Sequence, residues 1–306
     1  MNRFQANICL LTATLCWALE IILFKHFPPG VPAFAVISLG TGLSAVCLAV
    51  VFWPHLRARP SGAFLWRAGL LALLNVAQNS LAIIGTRRLD LSTSMFLLSL
   101  YVVGVPVVLT LGRRPLPRRT WAGVAVILIG LSLAVQLRPD AMLIGPMLLL
   151  VGASTVRSFY VVGVNDAAKV VDPAQLAVYL LAFISLLAFA GWSVTDPRSI
   201  LTLDYSPDFI ATLAMYSIFA FTIFTAVSFF AQPYASAQNV AVIYSLLVVF
   251  SVLLGATLPS LLVQRIVVTP GILAGCVLVC LGTIVSEVDL RALWHRRATP
   301  TAVVRR

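Results

Sequence analysis

The feature that most constrains this chain is a succession of apolar runs, most of them close to the roughly 20 residues that a helix needs to cross a bilayer. Ten can be placed, at 8–26, 33–53, 65–85, 92–112, 120–136, 142–163, 174–194, 209–230, 238–257 and 270–287. Breaks rich in Pro, Gly and Arg separate them. Only 10% of the residues are charged, against roughly a quarter in a soluble globular domain. The expected fold is therefore an all-α polytopic membrane protein with ten transmembrane helices.

One stretch recurs. Tyr101 to Gly112 reads YVVGVPVVLTLG, and Tyr244 to Gly255 reads YSLLVVFSVLLG. Each is followed by a hydrophilic break and then a small-residue helix, GVAVILIG at 123–130 and GCVLVCLG at 275–282. Each copy closes a group of five spans, and an odd number of crossings turns the second group upside down. The expected organisation is two inverted five-helix repeats, 1–137 and 138–290, with a basic tail at 291–306. Inverted repeats are the architecture of carriers that work by alternating access.

The net charge of +11 comes from loops, and its distribution is uneven. With the N-terminus in the cytoplasm, that side holds Arg3, Arg57, Arg59, Arg67, Arg113, Arg114, Arg118, Arg119, Lys169 and the tail arginines. The other side holds Lys25, Arg87, Arg88, Arg138, Arg198 and Arg265, fewer than half as many. This bias puts both termini in the cytoplasm of a multi-pass protein of the cell (inner) membrane. The basicity faces anionic lipid rather than nucleic acid. The first span resembles a signal peptide in position, but Glu20 inside it and FKHFPPG after it argue against removal.

The polar residues inside the spans carry the functional signal. Asn75, Gln78 and Asn79 share one helix face at i, i+3 and i+4. Lipid offers amides no partner, so this face either glues neighbouring helices together or lines a wet cavity. Glu20 is the one carboxylate well inside a span. Charge there is expensive, so it must be paired, protonated or hydrated, which makes Glu20 both a coupling candidate and a structural-partner candidate. Arg157 is the matching cation. A shift of 140 residues lays TATLCWALE on GASTVRSFY, with Trp17 over Arg157 and Glu20 over Tyr160. A direct Glu20–Arg157 pair is disfavoured by depth, the two lying some 10 Å apart along antiparallel helices; Arg157 could instead snorkel to the headgroups. Tyr101 and Tyr244 are equivalent in the two halves, and read either as ligand-facing aromatic walls or as interfacial residues.

The remaining signals concern packing and chemistry to exclude. Lys25 stands at the outer mouth, as an anion attractor or a helix anchor. Asp90 or Ser92 caps the fourth segment, and Pro106 allows a kink in it. Gly123 and Gly130, and Gly271, Gly275 and Gly282, form flat ridges for close helix approach. Segments six and eight are unusually polar, with Ser154, Thr155, Ser158 and Tyr160 in one and Tyr216, Ser217, Thr222, Thr225 and Ser228 in the other. Cys9, Cys16, Cys47, Cys276 and Cys280 lie in spans with no C-x-x-C pair and no His partner, which speaks against zinc and disulfides, and no cofactor is expected. Paired acids, H-E-x-x-H and a nucleophile elbow are missing, so an enzyme is not expected.

The opening helix LCWALEIILFK followed by PP, and the junction GRRPLPRRTWAGVAVILIG, resemble the drug/metabolite transporter superfamily in its EamA-type branch. The resemblance extends to the ten-span organisation. It implies a transporter, most often an exporter of amino acids, other metabolites or drugs. The chain also departs from the family. Arg113 and Ala256 follow Gly112 and Gly255, where the family often has Glu. Pro106 survives in helix 4 without a counterpart in helix 9. Small four-helix relatives carry a proton-binding Glu where this chain has Trp17, so their coupling is not transferred.

The expected function is secondary transport, by alternating access, of a small polar metabolite such as an amino acid or related compound. The expected binding set is Trp17, Glu20, Asn75, Gln78, Asn79, Tyr101, Arg157, Tyr160 and Tyr244. The partners are the cargo and the lipid bilayer, with the protein a monomer or homodimer. A membrane-embedded enzyme or a lipid scramblase without solute flux are the alternatives.

Overall fold

The computed structural model describes residues 1–24, 26–28, 30–89, 91–114, 116–134, 144–257 and 269–287, and they are helical with no strand among them. The first half contains α1 (Arg3–Phe24), α2 (Ala33–Val51), a 3-10 turn at Trp53–Arg57, α3 (Gly62–Thr86), α4 (Leu91–Ser99), α5 (Tyr101–Leu111) and α6 (Arg118–Ala134). The second contains α7 (Ile144–Ala168), α8 (Pro173–Thr195), a short α9 (Ser199–Thr202) and α10 (Pro207–Tyr216). A π-helical turn at Ser217–Ile223 continues α10 into α11 (Phe224–Ala231), and α12 (Ala237–Tyr244), α13 (Leu247–Thr257) and α14 (Pro270–Glu287) follow. Among the described residues, six stretches are long and apolar enough to cross a membrane: 33–51, 62–86, 144–168, 173–195, 207–234 and 237–257.

Each apolar run in the sequence meets a helix or an end-to-end pair of helices, but the boundaries and continuity differ. α1 begins at Arg3 rather than at 8, and α7 runs on to Ala168 rather than stopping at 163. A helix extends past its apolar stretch because its own backbone hydrogen bonds continue where the side chains turn polar. The fourth run is two helices meeting at Leu100, and the ninth is two meeting at Ser245 and Leu246. At both joints the bonding tightens to i→i+3: Val103 donates to Leu100 and Leu246 to Ile243. The breaks therefore fall beside Tyr101 and Tyr244, in the middle of their bundles.

Local chemistry sets the helix ends. Ser61, Asp172, Ser206 and Ser236 each accept a bond from a backbone N–H of the first turn of α3, α8, α10 and α12, relieving donors that have no intrahelical partner. Pro173 and Pro207 occupy first helical positions, where a missing N–H costs nothing. The Asp90 cap expected for α4 lies outside the described residues, as does the side chain of Ser92.

The helix contacts are reciprocal between the halves. α2 packs on α8, and α6 on α14. The contact of α3 with α7 is answered by that of α1 with α11, and α5 with α7 by α1 with α12 and α13. The α6–α14 pair is the closest. A Cβ at Gly130 would stand 2.7 Å from the Gly275 carbonyl, and one at Gly282 would stand 2.8 Å from the Gly123 carbonyl. The glycine ridges thus face each other, backbone against backbone.

Candidate functional site

The amide face of α3 points inward. Asn75 and Gln78 are buried, and the Asn79 amide donates to Asn75 Oδ1 at 2.7 Å. That bond stays within α3, while all three side chains line cavities at the centre of the bundle. The amides line the cavities, and Asn75 also faces the Tyr160 hydroxyl of α7, so this face is turned both to open space and to a neighbouring helix.

Two adjoining cavities meet there. One spans about 540 Å³ including its open mouth and reaches Ile83 and Thr86 at the end of α3. The other, the inner one, of about 450 Å³ on the same measure with open space included, continues past Asn75 and Tyr160 to Leu180, Phe224 and Thr225. Trp17, Glu20, Gln78, Asn79 and Arg157 line both. These five residues come from α1, α3 and α7, so both halves of the chain contribute to the waist.

Arg157 does not snorkel. Its guanidinium carbon lies 3.6 Å from the centroid of the Trp17 ring and 5.4 Å from that of Tyr101. A guanidinium over an aromatic face is attracted by the ring quadrupole and keeps its edge N–H groups free. The ion pairs among the described residues, at N···O distances up to 4.0 Å, do not include Arg157 or Glu20. The two charges therefore share a cavity without forming a direct pair. Glu20 accepts a bond from the Tyr216 hydroxyl at 3.3 Å instead.

Tyr101 and Tyr244 flank Trp17, with ring centroids at 6.0 and 5.8 Å, and both are buried. They are not interfacial residues. Neither lines either of these two cavities; both stand behind the Trp17–Arg157 stack, and their hydroxyls and Arg157 Nε are enclosed without a hydrogen bond of good geometry. The Tyr244 and Ser228 hydroxyls face each other without reaching bonding geometry. Tyr160 lines the inner cavity, its hydroxyl facing Asn75. Lys25 lies outside the described residues.

The binding set drawn from the sequence omitted Tyr216, which lines the outer cavity, and Phe221 and Phe224, which line the inner one. Phe224 packs on Trp17 at 6.2 Å and on Tyr244 at 5.7 Å. Tyr216 stands immediately before the π-helical turn, a distortion that often marks functional positions. The polarity of the eighth segment hinted at Tyr216, whereas nothing in its sequence pattern announces the widened turn.

At the end of the bundle remote from Thr86, polar contacts tie the two halves of the chain together. Arg114 makes a two-pronged pair with Asp166 at 2.9 and 2.8 Å. His55 meets Asp172 at 2.8 Å, and the Gln175 amide donates to the carbonyls of His55 and Ala58. The carboxylate beside Arg114 raises its affinity for its proton above the usual arginine range.

Apolar spanning helices around a polar cavity define a multi-pass membrane protein. Residues 5–136 match the model of the EamA-like transporter family, part of the drug/metabolite transporter superfamily and the family that the α1 and α5–α6 motifs resemble. No curated protein matches the chain. Among solved structures 28 chains match. One crystal structure, described simply as that of a protein, is 16% identical with a TM-score of 0.71, covering 96% of this chain and 99% of its own. At that identity the likeness speaks for the fold alone.

Proposed function

We propose that the protein is a secondary transporter, most simply an exporter, that carries a small polar metabolite such as an amino acid across the cell membrane by alternating access. The observation that carries this reading is the waist where the two cavities meet. Glu20, Gln78, Asn79 and Arg157 line both cavities, and helices of both halves supply them. Polar side chains at that depth are costly unless a ligand or water uses them.

The reciprocal contacts support ten spans in two inverted five-helix repeats, with α4–α5, α10–α11 and α12–α13 each forming one span. Equivalent residues also meet, Trp17 on Arg157, as expected near a pseudo-twofold axis. The tied end carries His55, Arg57 and Arg114, and the excess of arginine there supports a cytoplasmic orientation for it. The described conformer is then open outward and shut inward. Members of the matched family are transporters, which favours transport over an enzymatic role.

The test begins with a thermal-shift panel of amino acids, nucleosides and sugar phosphates on the purified chain, since a ligand stabilises the conformer it binds. A compound giving a saturable shift is then carried into proteoliposome flux, with Asn75→Ala/Gln78→Ala as the site variant. The expected result is saturable flux lost in the double variant. Unchanged flux would remove the cavity from the pathway.

A further inference from the structure

The cavity contains one acid and one base, and the base is unsatisfied. Trp17 covers one face of the Arg157 guanidinium, leaving its edge to make hydrogen bonds. Among the described residues that edge meets no carboxylate within ion-pair distance, and Nε is enclosed without an acceptor. The hydroxyls of Tyr101 and Tyr244, on either side of the same Trp17, are enclosed too and make no hydrogen bond of good geometry, that of Tyr244 only facing the Ser228 hydroxyl. Enclosed donors normally have partners, and leaving them without one is costly. Three such donors around one cation describe a receptor for an oxyanion.

We propose that Arg157, with the hydroxyls of Tyr101 and Tyr244, is the subsite for a carboxylate group of the cargo. This inference rests on the transport reading of the cavity and adds the charge of what is carried. The charge count selects carboxylate over phosphate. A phosphate monoester brings up to two negative charges to a single guanidinium in a cavity that already holds Glu20, whereas a carboxylate matches it one to one. Neither tyrosine lines the cavity here, so the carboxylate meets the guanidinium first and the hydroxyls as the site closes around it. Glu20 then faces the rest of the cargo, which carries a cation there, or else Glu20 holds a proton.

The test uses three probes of one shape on the full chain in detergent: benzoate, benzamide and phenyl phosphate, each titrated through the millimolar range at constant ionic strength. Benzoate is expected to raise Tm saturably, and the other two are not. Arg157→Gln is expected to abolish the benzoate shift. Tyr101→Phe/Tyr244→Phe keeps the ring packing and removes only the orphan hydroxyls; it is expected to melt no lower than the native chain while binding benzoate about tenfold more weakly. That combination separates ligand binding from a structural role and does not depend on Arg157→Gln folding. Equal shifts from benzoate and benzamide, a stronger shift from phenyl phosphate, or a benzoate shift untouched by both variants would overturn the carboxylate subsite. Solute flux is scored separately. Carboxylate-selective binding without saturable flux removes the transport reading and leaves the subsite; flux indifferent to Arg157→Gln and to a carboxylate on the solute does the reverse.

Discussion

The guanidinium of Arg157 on α7 lies 3.6 Å from the centre of the Trp17 ring on α1. An intramembrane cation is usually explained by a nearby acid, yet here Glu20 is turned toward Tyr216. The stack holds the charge by its face and leaves its edge available. Trp17→Ala should destabilise the protein by about 3–5 kcal/mol through lost packing. Trp17→Phe should cost less and keep a cooperative melt, because the ring face remains. Denaturant unfolding in detergent checks both, and a Trp17→Ala effect within about 0.5 kcal/mol would show the stack to be incidental.

Glu20 is the coupling candidate because it is the one acid that lines the cavities. Glu20→Gln preserves shape and hydrogen bonding but removes the titrating group. Its melting temperature should stay close to that of the native chain, while the pH dependence of solute flux flattens across the neutral range. A native pH profile in this variant would assign coupling elsewhere.

The tied end should act as a latch rather than a stability element. The Arg114 and Asp166 side chains are 54% and 39% exposed, and such pairs contribute about 0–1 kcal/mol. Asp166→Asn should therefore hardly move Tm, yet shift the balance between access states by up to about fivefold. Spin labels at positions 59 and 234 would report longer distances, and the swap Arg114→Asp/Asp166→Arg should restore the native distribution. Unchanged distances would deny the pair any gating role.

Two backbone positions give opposite signs. Arg113 has φ 57 and ends α5 in a Schellman turn, with Arg114 N–H bonded to the Leu109 carbonyl at 2.9 Å. A side chain at left-handed φ costs about 1–2 kcal/mol, so Arg113→Gly should raise stability by up to that amount. Gly130→Leu, by contrast, drives a side chain into the α14 backbone and should cost about 1–3 kcal/mol or more. Thermal melts compare them directly, and a stable Gly130→Leu would contradict the close α6–α14 contact.

Reporter tags after residues 57 and 140 should fall in opposite compartments if the halves are inverted. Finding them on the same side would contradict the proposed topology.

Much of this molecule was legible in the chain because hydropathy and helical spacing are local properties. The apolar runs, the shared face of Asn75, Gln78 and Asn79, the glycine ridges and the isolated charges Glu20 and Arg157 each follow from a single segment and the cost of polarity in lipid. What those residues touch depends on the depth and rotation of one helix against another, which no segment records by itself. Only the packed bundle set Arg157 on Trp17 instead of against Glu20, enclosed Tyr101 and Tyr244 behind that stack, and brought Tyr216 from α10 to Glu20 beside a π-helical turn. The sequence named the groups that lipid would not tolerate; the tertiary contacts decided which were satisfied and which were left waiting for a partner.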